Sequence, residues 1–338
     1  MTPYAWGPPP ARASIRSRPE DFRVIEDLGH APSGEGEHMW LWVEKREQNT
    51  AFVATELARL AKVHPRQVSF AGLKDRNAVT SQYFSIHLPG RPDPDWSDWA
   101  LEGVRLLEGT RSHRKIQRGR LAGNRFELVL RDLDGDLDAL EARLAQVRDH
   151  GVPNGFGEQR FGGNNLARAR ALFAGELRRK PSKNKRGFYL SAARSLLFNQ
   201  VLAERMGQGT WNRLIPGDVA MLDGSHSWFK ADPADLEQVQ RCTDLDIHPT
   251  GPLVGEGENP VSDQAAEIEA RITEAEPDLV QGLHHFRLQA QRRALRMRIQ
   301  HLTWQLNPTQ RELHLTFNLG QGSYATSVLR ELVDYSTP

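Results

Sequence analysis

The chain has 338 residues, of which 38% are hydrophobic and 26% charged, with a formal net charge of +1. This composition predicts a packed globular protein of roughly two domains and excludes a disordered chain. The single cysteine, Cys242, excludes a disulfide framework and a cysteine-based metal site. Residues 1–10 are rich in proline, and no run approaches the roughly 20 apolar residues that span a bilayer. We therefore expect a cytoplasmic protein that does not contact membranes.

Local patterns predict a first part in which strands and helices are mixed. Asn49 or Thr50 is expected to begin a helix, because apolar residues follow at helical spacing. Asp136 is expected to cap a second helix with a similar apolar face. Strands rich in β-branched, aromatic or alternating apolar residues are predicted over 22–25, 39–43, 83–88 and 124–130.

The middle of the sequence is more helical, and the end returns to strands. A glycine- and proline-rich loop is predicted over 250–260, within the helical part. This order indicates one sheet domain that is interrupted by an insertion. The predicted helices begin at Ser191, at Asp232-Pro233, at Ser262 and at Ala325. The predicted late strands cover 295–299 and 313–319.

Positive charge is concentrated in three basic clusters although the net charge is near zero. Acidic residues are concentrated elsewhere, in 132–141 and 256–278, so the folded protein can present a basic face. Any one cluster is typical of a solvated surface, but three together favour contacts with nucleic-acid phosphates. The first cluster is Arg111, Arg114, Lys115, Arg118 and Arg120; the second is Arg178, Arg179, Lys180, Lys183, Lys185 and Arg186; the third is Arg292, Arg293, Arg296 and Arg298.

The segment 70–82, FAGLKDRNAVTSQ, places one carboxylate, Asp75, between the cations Lys74 and Arg76. Flanking cations favour the charged form of a carboxylate, so Asp75 is expected to stay ionised. Gly72 permits a turn that presents a short side chain at a loop. An ionised, presented aspartate in basic surroundings suits nucleophilic attack on an anionic substrate. The alternative is an ordinary turn with solvated charges.

The segment 154–162, NGFGEQRFG, combines glycines with two aromatic residues and Arg160. Glycines allow close approach to a partner, aromatic rings can stack on bases, and arginine can bind phosphate. The alternative is a hinge between domains that Phe156 and Phe161 anchor. The residue types favour neither interpretation over the other.

Both segments resemble motifs of the TruD family of tRNA pseudouridine synthases. Residues 70–82 are similar to the family signature, whose Gly-x-Lys-Asp aspartate matches Asp75. Residues 154–162 are similar to the Asn-Tyr-Phe-Gly-x-Gln-Arg-Phe-Gly motif, except that Gly155 replaces an aromatic residue and so cannot stack on a base. The resemblance covers nearly the whole chain in the family's order. Further matches lie at 18–22, 34–38, 49–50, 123–126 and 322–332.

The resemblance implies that Asp75 is the catalytic nucleophile and that six further residues bind the substrate. Phe126 would stack on the target uracil, where most pseudouridine synthases have a tyrosine, and Asn124 would lie beside Asp75. The alternatives are that Phe126 belongs to the core and that Asn124 only begins a strand. The six substrate-binding residues are Phe22, Asn124, Phe126, Tyr324, Lys74 and Arg16.

The other four residues have alternatives too. Phe22 and Tyr324 are expected in the pocket, but the first could equally be core and the second could only precede a helix. Lys74 would contact RNA phosphate or lie on the surface as a solvated charge. Arg16 matches the position of a basic residue near the site in a relative, although no motif fixes its alignment.

The resemblance implies that the protein isomerises uridine 13 in the D-arm of tRNA to pseudouridine, with no cofactor and no metal. The implied partner is tRNA, with no obligate protein partner, and a monomer suffices. The implied fold is α/β (α+β), a pseudouridine synthase catalytic domain with a mixed or antiparallel sheet, made of 1–150 and 298–338. An inserted α/β TRUD domain over 151–297 would interrupt that catalytic domain.

Two other functions remain as alternatives. One is a catalytically silent RNA-binding or tRNA-folding protein of the same fold, and the intact Asp75, Asn124 and Phe126 argue against it. The other is a small-molecule hydrolase that uses Asp75 as an acid or nucleophile. The basic clusters, and the lack of a second obvious catalytic carboxylate, argue against the hydrolase.

Overall fold

The computed structural model describes residues 3–96 and 99–337. The strands in this part of the chain are β1 Ala11–Ser14, β2 Phe22–Asp27, β3 His38–Arg46, β4 Val68–Phe70, β5 Val79–His87, β6 Val104–Ser112, β7 Gly123–Gly135, β8 Val152–Pro153, β9 Val219–Leu222, β10 Trp228–Lys230, β11 Ile247–Leu253, β12 Gln291–Ala294, β13 Arg296–Met297, β14 Gln300–Asn307, β15 Glu312–Gly320 and β16 Val333–Ser336. The α-helices are α1 Thr50–Leu60, α2 Leu137–His150, α3 Glu158–Phe161, α4 Asn165–Phe173, α5 Lys183–Gly207, α6 Leu236–Thr243, α7 Asp263–Ala275, α8 Pro277–His285 and α9 Ala325–Leu332.

The chain divides into two compact units. The sheet unit consists of the described residues of Ala11–Leu137, Gln300–Gly322 and Asp334–Pro338. The helix-rich unit consists of those of Met1–Pro10, Asp138–Ile299 and Ser323–Val333. Each unit is therefore assembled from segments that are far apart in the sequence.

The sheet unit is built on one large sheet with the strand order β14-β15-β7-β2-β5-β3-β6. The pair β2–β5 is parallel, and the other pairs along this path are antiparallel, so the sheet is mixed. Strands β2 and β5 lie side by side at the middle of this order, and β7 lies next to β2. The predicted mixed α/β class is confirmed.

Strand β3 shows how the sequence builds this sheet. Met39, Leu41 and Val43 are buried at alternate positions and pack against Val53 and Leu57 of α1. This alternation places every second side chain on one face of the sheet, where the helix covers it. The Asn49 side chain accepts a hydrogen bond from the Ala51 amide at 2.9 Å and caps α1. The prediction that Asn49 or Thr50 begins this helix is confirmed.

The helix-rich unit packs helices against a four-stranded sheet of order β10-β9-β11-β12. The long helix α5 buries Leu197, Phe198 and Val201, which belong to three neighbouring apolar clusters. Among the described residues, no helix is long and apolar enough to cross a membrane. The family-derived boundaries at 150/151 and 297/298 stay a prediction.

Several predicted boundaries are wrong. The strand predicted over 295–299 is limited to Arg296–Met297, which pair with β8. Helix α5 begins at Lys183, eight residues before Ser191, because Ser182 supplies the cap. Helix α6 begins after Asp235, whose carboxylate accepts hydrogen bonds from two amides of the first turn, and not at Asp232-Pro233. The predicted loop over 250–260 starts too early, because β11 continues to Leu253 and pairs with β12. In each case a neighbouring cap or strand partner decided the boundary.

Candidate active site

The loop between β4 and β5 presents the Asp75 carboxylate, whose side chain is 42% exposed. An Arg16 guanidinium nitrogen, Nη2, lies 2.6 Å from Oδ2 of Asp75. The Arg16 guanidinium also lies over the Phe22 ring, 4.0 Å from its centroid. Arg16 has a left-handed backbone with φ of 59°, a conformation that costs a non-glycine residue about 1–2 kcal/mol. The structure therefore holds a strained arginine against the predicted nucleophile.

The two cations next to Asp75 in the sequence point elsewhere. The Lys74 ammonium lies 2.9 Å from Oε1 of Glu26 and donates a hydrogen bond to Oδ1 of Asn124 at 2.6 Å. Arg76 donates to the carbonyl of Glu47 at 3.3 Å. The structure therefore pairs neither Lys74 nor Arg76 with the Asp75 carboxylate, contrary to what their positions in the sequence indicated. The cation that pairs with Asp75 comes from 59 residues earlier in the chain.

Lys74 and Glu26 form a buried ion pair behind the loop. The Lys74 side chain is 6% exposed, which excludes the alternative of a solvated surface charge. Burial raises the pKa of Glu26 above its ordinary value, and the Lys74 ammonium opposes this rise. Glu26 also accepts a hydrogen bond from the Tyr83 amide at 3.1 Å. The pair joins the loop to β2 and β5, and a role of Lys74 toward substrate stays a prediction.

Three further buried residues hold the loop backbone. Gln82 donates to the carbonyl of Gly72 at 3.1 Å and accepts from the Thr50 hydroxyl at 3.0 Å. The same hydroxyl accepts from the Lys74 amide at 3.1 Å. The Lys45 ammonium donates to the carbonyl of Asp75 at 3.0 Å. The loop is thus fixed at Gly72, Lys74 and Asp75 by side chains with almost no solvent exposure.

Sequence reasoning missed Glu26 and Lys45, although a signal for both was present. Lys45 continues the alternation of Met39, Leu41 and Val43 on the buried face of β3. Glu26 likewise follows the buried Phe22 and Val24 on β2. A charged residue at a position where the strand pattern expects an apolar one is costly unless it is paired. Such a position indicates a buried polar contact.

Phe22 and Phe126 are buried side by side. Their ring centroids are 6.3 Å apart in an edge-to-face arrangement, and Phe126 also stacks on Phe317 at 5.3 Å. Both rings therefore occupy the core of the sheet unit in this structure. Asn124 precedes Phe126 on β7 and contacts Lys74, the residue next to Asp75. The structure thus brings six of the seven predicted site residues together within the sheet unit.

Tyr324, the seventh predicted residue, belongs to the helix-rich unit. Its hydroxyl accepts a hydrogen bond from Arg160 at 2.8 Å, and Arg160 also donates to Ser191. The Phe156 ring lies 4.3 Å from the guanidinium carbon of Arg293 and 5.1 Å from that of Arg160. The segment 154–162 is therefore anchored by contacts within its own unit, which favours the anchoring interpretation for Phe156.

The third basic cluster is largely structural. Arg292 is buried and pairs with Glu269 at 2.6 Å. Arg296 is buried and donates to the carbonyls of Cys242 and Ile247. The expected phosphate contacts are therefore wrong for Arg292 and Arg296, because their guanidinium groups already have partners inside the fold.

The second basic cluster is exposed. All six of its cations lie on the surface, and none pairs with a carboxylate among the side chains that the structure describes. Phe188, which follows this cluster in α5, is 60% exposed. Exposed cations next to an exposed ring are typical of a surface that binds nucleic acid.

The first basic cluster is mixed. Arg111 forms an ion pair with Asp93 and bonds to backbone carbonyls, so it supports the fold. The other four cations of the cluster are exposed, and Lys115 and Arg118 line an open pocket with Arg66.

Within residues 3–96 and 99–337, no three His, Cys, Asp or Glu side chains are grouped to hold a metal ion.

Comparisons with known proteins agree with the sequence motifs. The family model described as tRNA pseudouridine synthase D (TruD) matches residues 1–177 and 164–332. A tRNA pseudouridine synthase D from Hydrogenovibrio crunogenus is 45% identical over 333 residues, covering 98% of this chain and 95% of that protein. One from Methylococcus capsulatus is 48% identical over 335 residues, covering 98% and 94%.

A solved structure agrees with the fold. The crystal structure of a tRNA pseudouridine synthase D from Methanosarcina mazei superposes with a TM-score of 0.74 at 22% identity, covering 98% of this chain and 95% of that one. The matches define an isomerase of the pseudouridine synthase class. Within that class, the chain belongs to the TruD family.

Proposed function

We propose that this protein converts uridine 13 in the D-arm of tRNA to pseudouridine, with Asp75 as the nucleophile. The observation that carries the proposal is the geometry of Asp75. Its carboxylate is exposed and paired with Arg16, while buried side chains fix the backbone around it. A rigid loop with one reactive side chain facing solvent is the arrangement expected of a positioned nucleophile.

The reaction exchanges one bond of the uracil for another. The bond between C1′ and N1 breaks, the uracil turns, and C1′ bonds to C5, while C5 loses a proton and N1 gains one. Asp75 can start this by attacking C1′, with uracil leaving as an anion, or by removing the proton at C2′. Both routes use the same carboxylate and consume no other reactant.

The target base must leave its stack to reach Asp75. We propose that Phe22, Phe126 and Tyr324 contact this base, and that Asn124 and Lys74 support the loop that carries Asp75. Phe126 has no hydroxyl group and cannot carry the proton that leaves C5. That proton would move through water or the Asp75 carboxylate.

The proposed catalytic domain consists of 1–150 and 298–338, and the proposed inserted domain consists of 151–297. The exposed second basic cluster lies within the proposed insertion and supports a role in binding the tRNA backbone. We expect a cytoplasmic monomer with tRNA as its partner, and no cofactor.

The test is to incubate the purified protein with unmodified tRNA transcripts in the presence of EDTA and to map pseudouridine chemically. A new pseudouridine at position 13 is the expected result. Pseudouridine at another position would contradict the assignment of the target base. Salt-sensitive tRNA binding without any product would favour the silent RNA-binding function instead.

A further inference from the structure

Lys45 is a buried cation that pairs with no anion among the residues that the structure describes. Its side chain is completely buried on β3, directly opposite Thr80 of β5 and Val104 of β6. The ammonium donates to the carbonyls of Gln48 at 2.8 Å and Asp75 at 3.0 Å. No carboxylate forms an ion pair with it among the described side chains. A buried charge that has only carbonyl partners is costly to keep.

The position would suit an apolar residue on packing grounds, since Met39, Leu41 and Val43 precede it on the same face. Folding stability therefore does not explain why a charged residue occupies this position. The contact of the ammonium with Asp75 supplies an explanation, because the carbonyl that it holds belongs to the same residue as the proposed nucleophile.

We infer that Lys45 is a positioning residue for the proposed reaction, which holds the Asp75 carbonyl so that the Asp75 carboxylate stays against Arg16. The inference rests on the proposed function. Of the two carbonyls that Lys45 binds, that of Gln48 lies just before α1, so the ammonium ties the loop to the start of that helix. Loss of this tie would let the loop shift by a fraction of an ångström, which is enough to slow a reaction that depends on orientation.

The charge of Lys45 is sensitive to pH. Burial lowers the pKa of Lys45 from its ordinary value of 10.5 to about 8. The nearby Asp75 carboxylate opposes this shift, and the nearby Lys74 ammonium adds to it. The residues opposite it on β5 and β6, Thr80 and Val104, are uncharged. Neutral Lys45 would bind the carbonyl more weakly than the ammonium does.

Above about pH 8, deprotonation of Lys45 should therefore raise the free energy of unfolding and lower kcat. Between pH 8 and 10.5 the unfolded chain keeps the Lys45 proton and the folded chain loses it, so this group makes the folded state more stable as the pH rises. Over the same range the hold on Asp75 weakens. A residue with a purely structural role would not lower turnover while it raised stability.

The experiment compares Lys45→Met and Lys45→Arg with the wild type on unmodified tRNA transcripts between pH 7 and 9.5. Lys45→Met is expected to lower kcat about 10- to 100-fold with little change in KM. Its Tm should be no lower than that of the wild type, because the variant removes a buried charge and methionine fits the apolar face. Lys45→Arg should recover part of kcat. Ile86→Val, a change in the core of the same unit, should leave kcat unaltered.

The pH profile gives the second measurement. The wild-type kcat should fall with an apparent pKa near 8, and this fall should be absent in both Lys45 variants. If Lys45→Met had the same kcat as the wild type, or if its kcat fell with pH in the same way, the inference about Lys45 would be wrong. The proposed function would be unaffected by either result. A wild type that forms no pseudouridine would overturn the proposed function and the inference with it.

Discussion

Buried charged side chains have different contacts in the two units. In the helix-rich unit Arg205 makes a two-point pair with Asp218 at 2.8 and 2.9 Å and also donates to two backbone carbonyls. Arg292 pairs with Glu269 in a similar way. Each of these groups is satisfied inside its own unit. In the sheet unit, by contrast, Lys45 and Lys74 are buried around a single exposed loop.

The difference lies in what each buried charge holds. The arginines of the helix-rich unit join secondary-structure elements to each other. In the sheet unit, Lys45 joins β3 to the carbonyl of Asp75, and Lys74 joins the loop before β5 to Glu26 of β2 and Asn124 of β7. We therefore expect changes in the first group to affect folding and changes in the second group to affect turnover more than folding.

The largest expected effect on stability is from Arg205→Met. This change leaves the Asp218 carboxylate buried without its cation, which should lower the free energy of unfolding by about 3–5 kcal/mol. Urea unfolding followed by circular dichroism measures this loss. Arg271→Gln, at an exposed pair with Glu204, is the control and should cost about 0.5 kcal/mol or less. A loss below about 1 kcal/mol for Arg205→Met would show that the buried pair with Asp218 contributes little to folding.

Lys74→Met should have a smaller effect on stability but a large one on turnover. The pKa of Glu26 is already raised by burial, so its carboxyl group can take up a proton when Lys74 is replaced. We expect turnover on tRNA to fall about 100-fold, because the loop loses its ties to Glu26 and Asn124. Single-turnover kinetics measures the fall.

The double variant Glu26→Gln with Lys74→Met sharpens this prediction. It removes both buried charges, so stability should return toward that of the wild type. Turnover should stay low, because the contact between Lys74 and Asn124 is still missing. Recovery of turnover in the double variant would contradict a role of Lys74 in holding the loop.

The smallest expected effect is on RNA affinity. Replacing Lys183, Lys185 and Arg186 together by alanine should weaken tRNA binding and reduce the dependence of log Kd on log salt by about 1 for each phosphate that the protein no longer neutralises. Titrations at several salt concentrations measure this slope. Arg271→Gln, whose cation is already paired, should leave the slope nearly unchanged. An unaltered slope in the triple variant would exclude this cluster from the RNA interface.

Elements with a local pattern could be predicted from the sequence. The alternation in β3 and β15 and the cap at Asn49 depend on residues within a few positions of each other. The pairing of Arg16 with Asp75 could not be predicted in this way, since it joins two distant loops and needs a left-handed backbone at Arg16. The sequence analysis indicated Asp75 and Arg16 as site residues, but it did not predict that their side chains pair.

Charge clusters were the least reliable signal. The second and third basic clusters look alike in the sequence, but the second is exposed, whereas two of the four arginines of the third, Arg292 and Arg296, are buried. Burial depends on β12, β13 and their partners, which no local pattern of arginines reveals. The more informative signal was a single charge on the apolar face of a strand, as at Lys45 and Glu26.

The proposed role of the buried residues around the loop is to present Asp75 as the nucleophile. The most direct test is single-turnover formation of pseudouridine by Asp75→Asn, with tRNA affinity and Tm measured on the same preparation. Asparagine has nearly the same shape as aspartate, so the loop should keep its fold. We predict a rate lower by at least about 10³-fold, with affinity and Tm close to those of the wild type. A rate within tenfold of the wild type would show that Asp75 is not the nucleophile.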